Sequence, residues 1–221
     1  MERALPGVRL EWTVSDERQL VFLPQRDAWL AQAGRSGGFQ LVCNNDEDFP
    51  VMVSGLALSE RSGPGGRALL EVHAKQPLDV LGSAAAAKVL EGIAEGAHAF
   101  WGHSTPFHAS AEIAEQTVHP RMPRTSPRGL PALKLPEEIR SPRIPHRLGW
   151  LNYWSSAAAR AIAFPDPARD AELLSRARRT QSGGWVVPLT EAPLDLDDPA
   201  HLDALQRAYE RFPEIGGRST P

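Results

Sequence analysis

The order of elements in the last third of the chain constrains the fold more than any other feature of the sequence. Residues 148–155 and 183–190 are rich in apolar side chains over strand length, and both are predicted to be strands. Asp198 is predicted to cap an amphipathic helix that runs to Phe212. Pro199 then takes the first helical position, where its missing N–H is tolerated. This order favours an α+β fold.

Aromatic side chains are concentrated in these two strands. They are Trp150, Tyr153, Trp154 and Trp185. In neighbouring strands such residues usually build core and cross-strand pairs, which is the role predicted here, while exposure as binding hot spots is the alternative. Residues 175–180 are predicted to form a further strand, joined to the second one by a turn with a Gly-Gly pair. Pro188 has no backbone donor, so its strand is predicted to lie at an edge or to carry a bulge.

The rest of the chain is predicted to contribute further short strands and helices. Strands are predicted from apolar alternation and helices from apolar residues at 3.6-residue spacing. The predicted strands are residues 10–14, 20–23, 39–43, 51–56 and 68–74, and the predicted helices are residues 26–33, 83–101, 109–116 and 166–176. We therefore expect a mostly antiparallel mixed sheet, flanked by the long Ala-rich helix 83–101 and the C-terminal helix.

Residues 119–147 are predicted to form an extended, irregular arm. They hold seven prolines and seven Lys or Arg residues against two acids, and proline disfavours helices and ladder pairing. We expect the arm to cross the sheet with its spaced apolar residues against the core, namely Leu130, Leu133, Leu135 and Ile139. A flexible linker and a contact surface are the alternatives. Since neither half has a self-sufficient set of elements, residues 1–221 are predicted to form a single domain.

Composition excludes several classes of protein. The formal net charge of −3 gives no general attraction to nucleic acid or anionic membranes, and the basic arm lacks aromatic residues for base stacking. We therefore expect no nucleic acid and no membrane as partner. The single Cys43 excludes an internal disulfide and a multi-Cys zinc site. No apolar run has transmembrane length and no secretion signal is recognisable, so the cytoplasm is the predicted location.

No set of residues predicts catalysis, a metal site or a cofactor site. The densest histidines are His98, His103 and His108, but spacings of five residues keep them off a common helix face and leave a metal without enough ligands. Asp195, Asp197 and Asp198 form a short acidic run, in which Asp198 is predicted to be the helix cap and the others are predicted to face solvent. We therefore expect no metal, no cofactor and no catalytic residue.

The C-terminal third resembles the C-terminal half of the Immunity protein 52 family, found in bacterial polymorphic toxin systems. The resemblance rests on the Gly-Trp-x-x-Tyr pattern of residues 149–153, on a second strand ending in Leu189-Thr190, and on the helix start Asp198-Pro199-Ala200-His201. Residues before 148 depart from that family's pattern. Over its full length the chain resembles a related bacterial family of unknown function, with residues 131–136 and 210–217 as its signature.

The resemblance implies a protein that neutralises a cognate toxin by binding it, with no catalytic residue carried over. Residues 191–203 hold five acids and no Lys or Arg, which suits a toxin with a basic cleft. The predicted partner-binding residues are Glu191, Asp195, Asp197 and Asp203. The predicted structural signature consists of Trp150, Tyr153, Trp154, Trp185, Asp198, Pro199 and His201. The alternative is an enzyme of unfamiliar type with a histidine-containing cleft near residues 98–108.

Overall fold

The fold is taken from a computed structural model that describes residues 1–35, 37–119 and 125–219. Nine strands and six α-helices form within these ranges. The strands are β1 (Trp12–Val14), β2 (Leu20–Phe22), β3 (Gly38–Cys43), β4 (Met52–Leu58), β5 (Leu69–Lys75), β6 (Trp101–Ser104), β7 (Leu151–Trp154), β8 (Arg178–Arg179) and β9 (Trp185–Pro188). The helices are α1 (Arg26–Arg35), α2 (Leu78–Gly96), α3 (Phe107–Glu115), α4 (Ser156–Ala161), α5 (Ala171–Arg176) and α6 (Pro199–Arg211).

These strands form two antiparallel sheets. The first has the order β2-β1-β3-β4-β5, and the second has the order β6-β7-β9-β8. Every pairing between the named strands is antiparallel, so the predicted α+β fold with mostly antiparallel pairing is confirmed. The strands are divided between the two halves of the chain: β1 to β5 build the first sheet, and β6 to β9 build the second.

Helix α2 contributes side chains to both hydrophobic cores. Val89 packs in the cluster that contains Val42 and Val53 of the first sheet. Leu90, the next residue, packs in the cluster that contains Trp150 of the second sheet. Neighbouring residues point about 100° apart around a helix, so α2 presents one face to each core.

The boundaries of α2 differ from the prediction of a helix over residues 83–101. The helix begins at Leu78 and has a kink at Gly82, whose φ of 69° is outside the helical region. It ends at Gly96, where the N–H of Ala97 donates to the carbonyl of Ile93. His98 then takes a left-handed φ of 50°, and Trp101 begins β6. The prediction that the helix extends to Trp101 was therefore wrong.

The predicted strands and final helix of the last third are present. Asp198 caps α6 by accepting from the N–H of Ala200 at 2.8 Å, and Pro199 takes the first position. Pro188 lies in β9, between β7 and β8, but β8 pairs only with Trp185 and Val186. The N–H of Leu189 donates to the carbonyl of Trp150, the residue just before β7. An N–H at position 188 would point to the opposite side of β9, beyond the two residues that pair with β8, so no ladder hydrogen bond is lost there.

Two elements near α6 were predicted less well. Helix α4 was not predicted, although Ser155 caps it by accepting from the N–H of Ala158 at 3.2 Å. The helix predicted over residues 166–176 begins only at Ala171. The reason is that the Asp166 carboxylate accepts from the N–H of Ala168 and holds residues 166–169 in a turn.

The described part of the arm lies against the body of the protein. Leu130, Leu133 and Ile139 are buried and Leu135 is half-buried, as the sequence predicts. Two backbone hydrogen bonds fix Leu133, since it donates to Gln116 and accepts from Val118. Residues 120–124, with two of the seven prolines and two of the seven cations, lie outside the described residues. The arm is therefore irregular but packed wherever the structure describes it.

Candidate functional site

The aromatic signature forms the framework of the second sheet. Trp150, Tyr153 and Trp154 are buried, and Trp185 is half-buried. The indole N–H of Trp150 donates to the carbonyl of Thr190 at 3.1 Å, which ties β7 to the segment that follows β9. The Trp154 ring makes edge contacts with Phe164 and Phe212. The geometry therefore gives these aromatic residues packing contacts inside the protein.

The acidic segment after β9 is held by alternate burial. Leu194 and Leu196 are buried, with exposed fractions of 0% and 2%. Asp195, which lies between them, and Asp197, which follows, are exposed. This period of two is that of an extended chain with one face on the core. The two leucines thus fix the backbone and the two carboxylates project outward.

Hydrogen bonds hold the same segment in place. The backbone N–H of Asp195 donates to Nδ1 of His201 at 3.1 Å, and the Asp195 carboxylate accepts from the N–H of Asp197 at 2.9 Å. His201 is mostly buried at the start of α6, with 17% of its side chain exposed. His201 and the cap Asp198 therefore connect the acidic segment to α6.

We define the acidic surface as Glu191, Asp195, Asp197 and Asp203, all of which are exposed. The structure brings Asp195 and Asp197 together and places Asp203 on α6. Asp197 pairs with Arg128 of the arm at 2.7 Å, and Asp203 pairs with Arg207 at 2.8 Å. Asp195 has His108 at 4.0 Å, and Glu191 makes no ion pair with the residues that the structure describes.

Arg128 connects the arm to this surface and was not singled out from the sequence. Its guanidinium pairs with Glu112 of α3 and with Asp197, and it donates to the carbonyl of Leu196 at 3.0 Å. These two carboxylates raise the pKa of Arg128 above its usual range. Asp197 is therefore partly neutralised, and Glu191 and Asp195 are left as the acids with the least compensation.

The three histidines of residues 98–108 do not form one group. His98 is exposed at the end of α2, and His108 is exposed on α3 near Asp195. His103 is half-buried on β6, where Nδ1 lies 3.3 Å from the Thr105 hydroxyl. Among the described residues, no group of His, Cys, Asp and Glu side chains is arranged to hold a metal ion.

A second cluster, which sequence reasoning missed, surrounds Arg147. Its Nη2 lies 3.4 Å from the Thr117 hydroxyl and 3.3 Å from Nδ1 of His146. His146 is buried, and its Nε2 lies 3.0 Å from the carbonyl of Lys134. His103 lies beside Gly149, where a Cβ would be only 2.8 Å from its ring, and the charge of Arg147 acts on it. We call Arg147, His146, Thr117 and His103 the Arg147 cluster.

The electrostatics of this cluster are unusual for residues on a protein surface. Burial, reinforced by the charge of Arg147, lowers the pKa of His103 to about 3 and that of His146 to about 4. Burial also lowers the pKa of the Arg147 guanidinium. Glu71 and His73 of β5 contribute to the same field, and His73 lowers the pKa of Glu71 through a contact of 3.5 Å. With these lowered pKa values, His103 and His146 are uncharged at neutral pH.

A weak sequence signal for this cluster exists. His146 and Arg147 immediately precede the buried strand segment at Leu148, so a polar pair enters the core with it. Thr117 and His103 are 30 and 44 positions away from Arg147 in the sequence, and no local pattern connects them. The antiparallel pairing of β6 with β7 brings His103 to this region, and the bridge between Thr117 and Leu133 of the arm positions Thr117.

The comparisons with known proteins identify a family. A family model described as "Domain of unknown function (DUF5953)" matches residues 1–220. The chain belongs to this family. The prediction of a family of unknown function over the full chain is thereby confirmed, and the DUF5953 match includes both the acidic surface and the Arg147 cluster. No curated protein and no solved structure matches the chain.

The helices of this DUF5953 chain were also compared with the requirements of a membrane span. Within the described ranges, none combines the length and the apolar character needed to cross a bilayer.

Proposed function

We propose that this DUF5953 protein is a toxin-neutralising immunity protein that binds a cognate polymorphic toxin in the bacterial cytoplasm, without cofactor or turnover. The observation that carries the proposal is the acidic surface, whose carboxylates are displayed on a backbone fixed by Leu194, Leu196 and His201. A toxin with a basic cleft is the partner whose charge this surface complements.

The fixed backbone matters for affinity. Association loses translational freedom and also the entropy of every loop and side chain that becomes ordered. Here the segment that carries Asp195 and Asp197 is already ordered by buried leucines and by two hydrogen bonds. Binding therefore loses no further entropy by ordering this loop. Its exposed carboxylates also create a negative potential that accelerates encounter with a basic partner.

The resemblance to the Immunity protein 52 family points to the same region. Its motifs fall on β7, on β9 with the following Thr190, and on the cap and first turn of α6. These are the elements that hold residues 191–203: Trp150 bonds to Thr190, and His201 bonds to Asp195. The residues that carry the resemblance thus form the frame, and the acids lie on it.

Association kinetics with the toxin encoded beside this gene test the proposal. The test variant is Glu191→Lys with Asp195→Lys, because neither acid pairs with an Arg or Lys among the described residues. Asp197 is left intact, since its reversal would also expel Arg128. We expect association to slow by about tenfold or more and its dependence on salt to flatten. The melting temperature should fall by only a few degrees, because Asp195→Lys removes the hydrogen bond from the N–H of Asp197 while the buried Leu194 and Leu196 remain.

The matched control is Glu47→Lys with Asp48→Lys. It makes the same change in net charge at exposed acids between β3 and β4. The proposal predicts nearly unchanged association for this variant. Equal slowing in both variants would show that only net charge matters and would contradict the acidic surface as the docking site. Absence of binding by the unaltered protein would contradict the function itself for that pair.

A further inference from the structure

The Arg147 cluster combines a cation with too few partners and a set of neutral donors. Arg147 is half-buried, yet none of the carboxylates in the described ranges lies within ion-pair distance of its guanidinium. Enclosing a charge without a counter-ion is costly, and proteins normally place a carboxylate beside such a group. The two contacts of Nη2, to Thr117 and His146, are long at 3.4 and 3.3 Å.

Most of the donors of Arg147 are therefore available. A guanidinium has five N–H groups, and the hydrogen bonds of Arg147 within the described residues involve Nη2 alone. The Nε and Nη1 groups of Arg147 make no hydrogen bond with the described residues and are not fully buried, so solvent reaches them. A half-buried guanidinium whose Nε and Nη1 face solvent can donate to two oxygens of an oxyanion.

The neighbours of Arg147 suit the same ligand. The Thr117 hydroxyl can donate to an anion, and it also lies 3.4 Å from Nε2 of His146. His146 holds the guanidinium in place, because its Nδ1 accepts from Nη2 of Arg147 and its Nε2 donates to the carbonyl of Lys134. The Glu71 carboxylate is on β5, where His73 is its contact at 3.5 Å. With one Arg and one more distant Glu, the field favours a ligand of low negative charge.

We propose that the Arg147 cluster binds a small oxyanion, a phosphate or carboxylate group, with the guanidinium of Arg147 as its main donor and the Thr117 hydroxyl beside it. This site is distinct from the acidic surface in sign of charge and in the residues that form it. The inference does not rest on the proposed immunity function, and either can fail without the other.

Titration of the full chain with inorganic phosphate tests the site, with acetate as the carboxylate probe and chloride at matched ionic strength as the reference. We expect saturable heat of binding by calorimetry and a rise in melting temperature with at least one of the two oxyanions. The oxyanion that binds more tightly identifies the ligand class. Failure of both oxyanions to bind at about 10 mM would overturn the proposal. That concentration is about 10⁴ times that of micromolar protein.

Arg147→Gln should weaken binding about tenfold or more, because charge-assisted hydrogen bonds to the anion are lost. Arg143→Gln is the matched control, since Arg143 is exposed on the same arm and the charge change is identical. Equal weakening in both variants would overturn the proposal in favour of non-specific attraction.

Arg147→Lys keeps the charge and removes the planar fork, so it covers the case in which Arg147→Gln fails to fold. We expect Arg147→Lys to bind the oxyanion more weakly than the unaltered chain. In the unaltered chain, the His146 ring resonances should shift on addition of the oxyanion, and unchanged resonances during measurable binding would place the anion elsewhere and overturn the assignment.

Discussion

Removing one hydroxyl group, in Tyr209→Phe, tests how the arm, α3 and α6 are held together. Tyr209 is buried on α6, with 1% of its surface exposed. Its hydroxyl accepts from the backbone N–H of Leu148 at 3.1 Å and donates to Oε1 of Gln116 at 3.1 Å. Leu148 and Gln116 are themselves fully buried at 0% exposure. One side chain thus satisfies two polar groups that water does not reach.

The magnitude follows from those two groups. Phe has nearly the same shape, so packing is preserved and the loss is electrostatic. Leaving a buried donor or acceptor without a partner costs about 1–3 kcal/mol each, so we expect the free energy of unfolding to fall by about 2–6 kcal/mol. At about 2–4 °C per kcal/mol for a chain of this size, a loss of 3 kcal/mol lowers the melting temperature by about 6–12 °C.

Urea unfolding followed by tryptophan fluorescence measures this difference, with Tyr153→Phe as the matched control. The Tyr153 hydroxyl donates to Glu95 at 3.0 Å, but Glu95 also accepts from Ser182 and remains partly exposed. Tyr153→Phe should therefore cost only about 0.5–1.5 kcal/mol. A loss below about 0.5 kcal/mol for Tyr209→Phe, or equal losses in the two variants, would refute the assignment of the buried hydrogen bonds.

Three further predictions concern the core, the pH dependence and the arm. Trp150→Ala should lower the free energy of unfolding by about 3–5 kcal/mol, and an unchanged melting temperature in a soluble variant would contradict burial of this ring. His146 has its pKa lowered to about 4 in the folded chain, against an ordinary value of 6.5. Between those values the unfolded chain binds the extra proton, so stability falls as pH drops from 6.5 to 4, by up to about 1.4 kcal/mol per pH unit from His146 alone. Unfolding curves at several pH values should show a shallower slope for His146→Gln, and identical slopes would exclude the histidine as the cause. If residues 1–221 are a single domain, limited trypsin treatment should not release two stable fragments cut within residues 121–147, and recovery of such a pair would contradict it.

Much of the fold could be predicted because its elements carry local signals. The α6 start combines a capping Asp198 with Pro199, and the β8–β9 hairpin carries Gly183-Gly184 between its two strands. These signals act over a few residues, so a single sequence contains them completely. The C-terminal end of α2 was mispredicted because Trp101 fits the helical spacing, while the glycine at 96 and the turn at His98 end the helix first. Its start was also misplaced, since the helix begins at Leu78, before the kink at Gly82.

The candidate sites depend on contacts that no local pattern records. Arg128 reaches Asp197 across 69 residues, and Arg147 meets Thr117 across 30. The exposed acids at 195 and 197 were predictable, because they alternate with leucines, which indicates one buried and one solvent face. Which of them is neutralised was not predictable, since the answer depends on where the arm lies.

The measurement that tests the central claim most directly is survival of bacteria that express the toxin encoded beside this gene. Co-expression of the unaltered protein should restore growth, and the variant Glu191→Lys with Asp195→Lys should restore less of it at equal protein abundance. The control variant Glu47→Lys with Asp48→Lys should protect as well as the unaltered protein. Cells that die as fast with the unaltered protein as without it would contradict the immunity function for that pair, and would favour the alternative of an enzyme instead.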